Sequence, residues 1–167
     1  MKILKEIKDE PIPEKFDVRE ASRAVVFDSD NKIPLLFVSK YNYHKLPGGG
    51  IEKGEGKIAA CKRELLEETG STIEITGELG EITEYRSKFN LFQTSYCYIG
   101  KVLKKGKLNL MPDEIEEGFE LIWVSLEEAI ELINNDKPSN YEGKFIKERD
   151  LRFLEEAYKL KNYKFRA

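Results

Sequence analysis

The chain has 167 residues, 40% of them hydrophobic and 11% aromatic, which suits one domain with one core. Lys and Arg number 28 against 31 Asp and Glu, a formal net charge of −3, and no long basic block is present to follow a nucleic-acid backbone over many phosphates. The longest apolar runs, such as Ala24–Phe27 and Leu35–Val38, are strand-sized rather than membrane-spanning, and the N-terminus has no apolar signal core, so a cytoplasmic protein without a membrane partner is expected.

Residues 1–19 mix charge with Pro11 and Pro13 and read as an arm or short edge strand, joined loosely to a body over residues 20–162. Ala21–Phe27 and Ile33–Lys40 are β-rich and separated by Asp28-Ser29-Asp30-Asn31, a pattern that predicts a hairpin. From Gly56 to Thr69 the period changes: Ile58, Ala59, Leu65 and Leu66 recur at helical spacing and Gly70 supplies a stop. Ile73–Tyr85 and Leu91–Val102 read as strands that extend the sheet into a mixed one. Phe119–Val124 is a further short strand, and Ser125 with Glu128 forms a capping box for a helix over Leu126–Ile133. Beyond the polar connection Asn134–Tyr141, Phe145, Ile146, Phe153, Leu154, Ala157 and Tyr158 are spaced for a third helix within Gly143–Leu160. Cys61 and Cys97 are too few for a disulfide framework, and a single His excludes a Cys/His zinc cluster, so buried free thiols are expected.

The chemistry concentrates in Gly48-Gly49-Gly50-Ile51-Glu52-Lys53-Gly54-Glu55 and, seven residues on, Arg63-Glu64-Leu65-Leu66-Glu67-Glu68-Thr69-Gly70. Helical spacing aims Glu64, Glu67 and Glu68 at one patch of space. Like charges so placed repel, and a hard divalent cation such as Mg²⁺ removes the repulsion while joining carboxylates to substrate phosphates. The glycines, Gly48 and Gly49 among them, let a main-chain carbonyl or N–H approach the ion or a phosphate. Glu55 and Arg63 span the join from loop to helix, where a charge-assisted hydrogen bond would keep the two in register. An acidic helix face is also what any Glu-rich chain shows to solvent, which is the simpler reading of Glu67 or Glu68 taken alone.

The pattern Gly49-x5-Glu55-x7-Arg63-Glu64-Leu65-x-Glu67-Glu68-x-Gly70 resembles the signature of the Nudix hydrolase family, MutT-like proteins among them, and the flanking order of elements is similar across about residues 20–160. Two positions depart from it: Ser71 stands where an apolar residue is usual, with Ile73 free to take its packing role, and His44 stands where many members carry Trp before Leu-Pro-Gly-Gly. The resemblance implies an α/β (α+β) fold, an α/β/α sandwich around a central mixed sheet. It also implies hydrolysis of a nucleoside diphosphate linked to another moiety, with Mg²⁺, or Mn²⁺ in its place, as cofactor. On these positions Glu64, Glu67 and Glu68 match metal-binding or water-activating residues, Gly49 a carbonyl ligand, and Glu55 and Arg63 orienting residues. A further carboxylate often precedes the Trp-containing strand, here Glu117, with Glu114 or Glu116 as substitutes; a solvated acidic loop is the competing reading.

Lys40, ending a strand near the glycines, has two readings, a phosphate contact or an exposed strand end. His44, in Tyr41-Asn42-Tyr43-His44, reads as packing on or hydrogen-bonding a substrate rather than as a base. Tyr85, Arg86, Phe89, Asn90 and Phe92 could hold a nucleobase, although core and turn roles compete. A small nucleotide is the expected partner, a modified nucleoside triphosphate being one form; nucleotide sugars, ADP-ribose and dinucleotide polyphosphates share the same bond. An inositol polyphosphate or RNA cap is less favoured because no extended basic surface or arm is evident. The rival class is a non-catalytic nucleotide-sensing module, which would not need all three Glu. A homodimer through sheet edges or the arm stays open.

Overall fold

Both faces of Ala21–Val26 are buried, which makes their strand, β2 (Asp17–Phe27), an interior strand of a sheet. In the computed structural model, which describes residues 1–166 and side chains to residue 163, β2 lies between β7 (Leu91–Lys105), parallel to it, and β5 (Gly48–Gly50), antiparallel. β6 (Ser71–Arg86) pairs antiparallel with β7, and β1 (Ile3–Lys8) adds in parallel at the far edge, giving the mixed order β1-β6-β7-β2-β5. The segment expected as an arm or edge strand therefore carries an edge strand. It is fastened at Asp9, which accepts the Ser87 N–H at 3.0 Å and the Tyr141 hydroxyl at 2.6 Å.

The expected hairpin between the first two long strands does not form. Asp28 accepts the N–H groups of Asp30 and Lys32 in the turn between them. Beyond the turn, however, β3 (Lys32–Val38) leaves for a second sheet, between β4 (Tyr43–Lys45) and β8 (Phe119–Ser125). β7 takes one edge of β2 along its whole length and β5 takes the other at Ala21–Arg23, while β3 pairs along Lys32–Val38 with β8 instead. β4 and β5 were not foreseen: each has three residues, too few to show an alternation, and the glycines of β5 carry no strand signal.

Helix α1 (Lys57–Thr69) covers one face of the large sheet, burying Cys61 and Leu65 against Ala24, Val26, Ile73, Tyr96 and Tyr98. It stops at Gly70, whose positive φ of 68° directs its N–H back to the Leu66 carbonyl. The other face carries the main core. There Val25, Ile82 and Cys97 meet Ile33 and Val124 of the small sheet, Ala129 and Ile133 of α3 (Leu126–Asn135), and Phe145, Phe153 and Ala157 of α4 (Tyr141–Arg166). Ser125 accepts the Glu128 N–H at the start of α3, and Asn140 accepts the Gly143 N–H at the start of α4. A five-residue helix, α2 (Pro112–Glu116), occupies the stretch expected as an acidic loop. The result is the expected α/β/α arrangement around a mixed sheet. No described helix is long and apolar enough to cross a membrane.

Candidate active site

β5 forms the edge of the large sheet, and α1 brings its carboxylates to that edge. Glu64 and Glu68, one turn apart, are both buried. A Cβ on Gly49 would lie 2.5 Å from Glu64 Oε2, so any side chain there would push that carboxylate out of its place. Gly48 donates its N–H to Glu68 Oε2 at 2.7 Å, and Lys45 donates to Glu68 Oε1 at 3.2 Å and to the Gly48 carbonyl at 3.3 Å. Burial pushes the Glu68 carboxyl up to about 7, with Lys45 and the Gly48 N–H opposing it.

Arg63 ties helix to loop as the sequence predicts. Its Nε and Nη2 donate to the two oxygens of Glu55 at 2.8 and 2.9 Å, Nη2 also to the Gly50 carbonyl at 3.0 Å, and Nη1 to Glu64 at 2.7 Å and Glu67 at 3.3 Å. The bidentate guanidinium holds the Glu55 carboxyl down to about 2. Glu67 thus sits beside Arg63 on the rim, while the third carboxylate to join Glu64 and Glu68 is Glu114 of α2. One oxygen from each of these three lies within 4.8 Å of the others.

Three clustered carboxylates, two of them buried, form an all-oxygen donor set of the kind that hard divalent cations take. The Gly49 main chain pressed against Glu64 is compatible with its expected place in the same set. These residues fit Mg²⁺ or Mn²⁺.

The carboxylates border a cleft of about 300 Å³ that continues past β5 to the other face of the sheet, between β2 and α4. Tyr43, Phe119 and Ile146 are the large apolar members of its lining. On that inner side it is basic. Arg86 is held by Glu84 at 2.9 Å and Glu142 at 2.5 Å, and Arg149 by Asp150 at 2.7 Å and Glu84 at 3.4 Å. Glu84 is wholly buried; burial alone would raise its carboxyl, but Arg149 and Arg86 outweigh it and hold it down to about 2. Arg19 donates to Gln93 at 3.2 Å. Arg23, 3% exposed, has Nε and Nη1 buried without a partner among the described residues. Burial, with Arg149 nearby, pushes its guanidinium down to about 10.

Of the residues singled out in the sequence, Glu64, Glu68, Gly48, Gly49 and Glu117 line this cleft, and Arg63, Glu55 and Glu67 adjoin it. Glu117 closes α2, and burial together with Glu142 raises its carboxyl. The α2 tip is pinned to the end of β3, where Ser39 and Lys40 donate their N–H groups to the carbonyls of Gly118 and Glu117. The Lys40 ammonium turns outward to Glu116 at 3.2 Å, and so is not brought to the cleft. Neither is His44: its N–H and Nδ1 both meet Asp136, at 2.6 and 2.8 Å, and its ring packs on Phe37. Tyr85 packs between Phe16 and Phe92, and Phe89 against Tyr141; Arg86 alone of that group lines the cleft.

Lys45, Arg19, Arg23, Gln93 and Arg149 were missed. Arg23 had a signal, a charge inside the otherwise apolar run Ala21–Phe27; Arg149 and Lys45 had none. The basic residues are scattered through the sequence and meet only in the fold, so the absence of a basic block carries no weight for the cleft. A larger groove of about 480 Å³, lined by Phe27, Ile99, Val102 and Leu160 among others, holds none of the clustered carboxylates.

The sequence matches the family model described as NUDIX domain over residues 17–145. It is similar to an RNA pyrophosphohydrolase of Sulfurovum sp. (strain NBC37-1), 34% identical over 119 residues that cover 64% of this chain and 76% of that protein. It is also similar to diphosphoinositol polyphosphate phosphohydrolase 2 of Rattus norvegicus, 27% identical over 127 residues, 74% of this chain and 68% of the relative. Among solved structures, a NUDIX hydrolase from Nitrosomonas europaea superposes with a TM-score of 0.63 at 19% identity, covering 85% of this chain and 89% of that one. The MutT NUDIX hydrolase from Burkholderia pseudomallei gives 0.56 at 18% identity over 80% and 98%. These two share the fold.

Proposed function

Since this chain belongs to the Nudix hydrolase family, we propose that it is a divalent-metal-dependent enzyme that cleaves the diphosphate bond of a small nucleoside diphosphate derivative or nucleoside triphosphate. The observation that carries this reading is the convergence of Glu64, Glu68 and Glu114 at the β5 edge. The names of the two curated relatives share a pyrophosphate or diphosphate and differ in the body that bears it.

Glu64, Glu68 and Glu114 would hold Mg²⁺ or Mn²⁺, with the Gly49 carbonyl as a further ligand and Glu67 beside them on the rim. When bound, the metal supplies Lewis-acid charge stabilisation and a more acidic water. Arg63 keeps Glu64, Glu67 and the Glu55 loop in one arrangement, so that the carboxylates need no reordering as substrate arrives. Lys45 offsets the charge of Glu68 and fixes the Gly48 carbonyl. Glu117 reaches the cleft from a different element than α1 and is the candidate to accept a proton from the attacking water.

A panel of nucleoside triphosphates, nucleotide sugars, ADP-ribose, dinucleotide polyphosphates, diphosphoinositol polyphosphates and triphosphate-ended RNA tests this reading. Phosphate release is followed with Mg²⁺ or Mn²⁺, with and without added pyrophosphatase. We expect release from a nucleotide member that chelator abolishes, at least ~10²-fold loss of kcat in Glu64→Gln, and a kcat effect larger than the KM effect in Glu117→Gln. No metal-dependent release from any nucleotide, or a Glu64→Gln enzyme as fast as its parent, overturns it.

A further inference from the structure

Arg23 is a buried cation without a hydrogen-bonded partner among the described residues, in a cleft where every other guanidinium on the same sheet face has one. Burying a guanidinium whose N–H groups meet nothing is costly, so a partner is to be sought in what enters the cleft. The neighbouring carboxylates are already engaged. Glu84 is shared by Arg86 and Arg149, Glu142 is taken by Arg86, and Asp150 by Arg149, where its other oxygen accepts the Leu46 N–H at 2.8 Å. The carboxylates that hold Arg86 and Arg149, those of Glu84, Glu142 and Asp150, thus make no hydrogen bond to Arg23, and neither does Glu117 at the mouth of the cleft.

The position of this surplus charge matters. Arg23 is in register with Gly48, and Ser22 with Gly49. Alternation along β2 puts Arg23 on the α4 side of the sheet and Ser22 on the α1 side. The Glu64 carboxylate lies against Gly49, so it and Arg23 are reached round opposite sides of the same narrow strand. One phosphoryl group cannot lie against both the Glu64 carboxylate and the Arg23 guanidinium, because β5 stands between them.

We propose that Arg23, with Arg19 four residues back on the same face of β2, receives a second phosphoryl group of the substrate, one that is not part of the scissile diphosphate. The inference rests on the hydrolase reading above and narrows it: the substrate class becomes a diphosphate whose body carries a further phosphate, such as a nucleotide with a ribose phosphate. A planar guanidinium matches two oxygens of such a group at once. The sparse apolar lining of the cleft agrees with a heavily charged substrate rather than one held by its base alone.

Inorganic phosphate is the probe, titrated into the full chain in chelator at constant ionic strength. Without metal the carboxylate end repels anions, so binding reports the arginine floor alone. Phosphate should bind more tightly than chloride and shift the Arg23 Nε–H resonance, and Arg23→Gln should weaken binding at least ~10-fold, the scale of one charge-assisted hydrogen bond. Absence of binding beyond the chloride control overturns the proposal, as does undiminished affinity in Arg23→Gln. If that variant does not fold, the resonance in the parent decides: an unmoved Arg23 signal overturns the proposal.

A second arm separates a substrate subsite from a site for free phosphate. Against the substrate identified in the panel, with metal present, phosphate should inhibit competitively, with an inhibition constant at least ~10-fold weaker in Arg23→Gln. Noncompetitive inhibition would place the anion off the substrate's path and overturn the assignment. Because the first arm involves no catalysis, failed phosphate binding sinks this subsite and leaves the hydrolase reading standing. A failed hydrolysis panel overturns the hydrolase reading and with it the assignment of Arg23 to a substrate, whatever phosphate binding the first arm shows.

Discussion

Arg63 meets three carboxylates and a carbonyl with one guanidinium. Such a residue acts through geometry, and its loss should be felt through its partners. Arg63→Ala and Glu55→Gln should each lower kcat about 10-fold or more, and the double variant should be little worse than the worse single one. A double-mutant cycle on kcat reads this; strictly additive losses would mean that the two residues do not cooperate. The pairing was legible because Glu55 and Arg63 lie close in sequence, at the join of loop and helix. Glu64 and Glu68 were legible for the same reason, sharing a helix face. Glu114 was named only as a substitute for Glu117, since the short helix that aims it at Glu64 has too few residues to show a period. Lys45 was invisible: that its ammonium meets Glu68 depends on how β4 and α1 come together, which no local pattern encodes.

At the scale of elements, Glu84 fastens β6, β7 and α4 to one another, through Arg86 on its own strand, Gln93 on β7 and Arg149 on α4. Removing one member of a buried charge network leaves the others unmatched, so Glu84→Gln should cost about 3–5 kcal/mol of stability. The pH dependence follows from its depressed pKa. A carboxyl held at about 2 in the folded chain, against about 4.3 unfolded, stabilises fully above the unfolded value, and the contribution fades as pH falls toward 2. The gap in melting temperature between parent and Glu84→Gln should therefore be widest above about pH 5 and narrow on acidification. A gap that is constant or widens toward acid would sink this account. The long strands and three main helices were readable from periodicity and caps, whereas strand partners were not. The Asp28–Asn31 turn was recognised, yet its two strands part into different sheets because β3 takes β8, nearly ninety residues on, as its partner, a pairing that no local pattern encodes.

For the molecule as a whole, β1 protects the open edge of β6. Ile7 is buried in the main core and Asp9 ties the strand's end to Ser87 and Tyr141. Deleting residues 1–9 should lower the melting temperature and expose a row of unpaired β6 backbone groups, the usual template for association of chains. Light scattering of the truncated chain alongside a thermal melt checks this; a monomer as stable as its parent would show that residues 1–9 contribute nothing to the body. The opposite edge has a different consequence. Because β5 is so narrow, the clustered carboxylates stand on the helix α1 side and the arginines on the α4 side of one shared opening. On the proposed reading, substitution of Arg23 or Arg19 should change which molecule is admitted while leaving how it is cut untouched, whereas Arg86 and Arg149 are fixed by the Glu84 network. Descendants of such a chain are free to wander from one substrate to the next without having to reinvent the reaction.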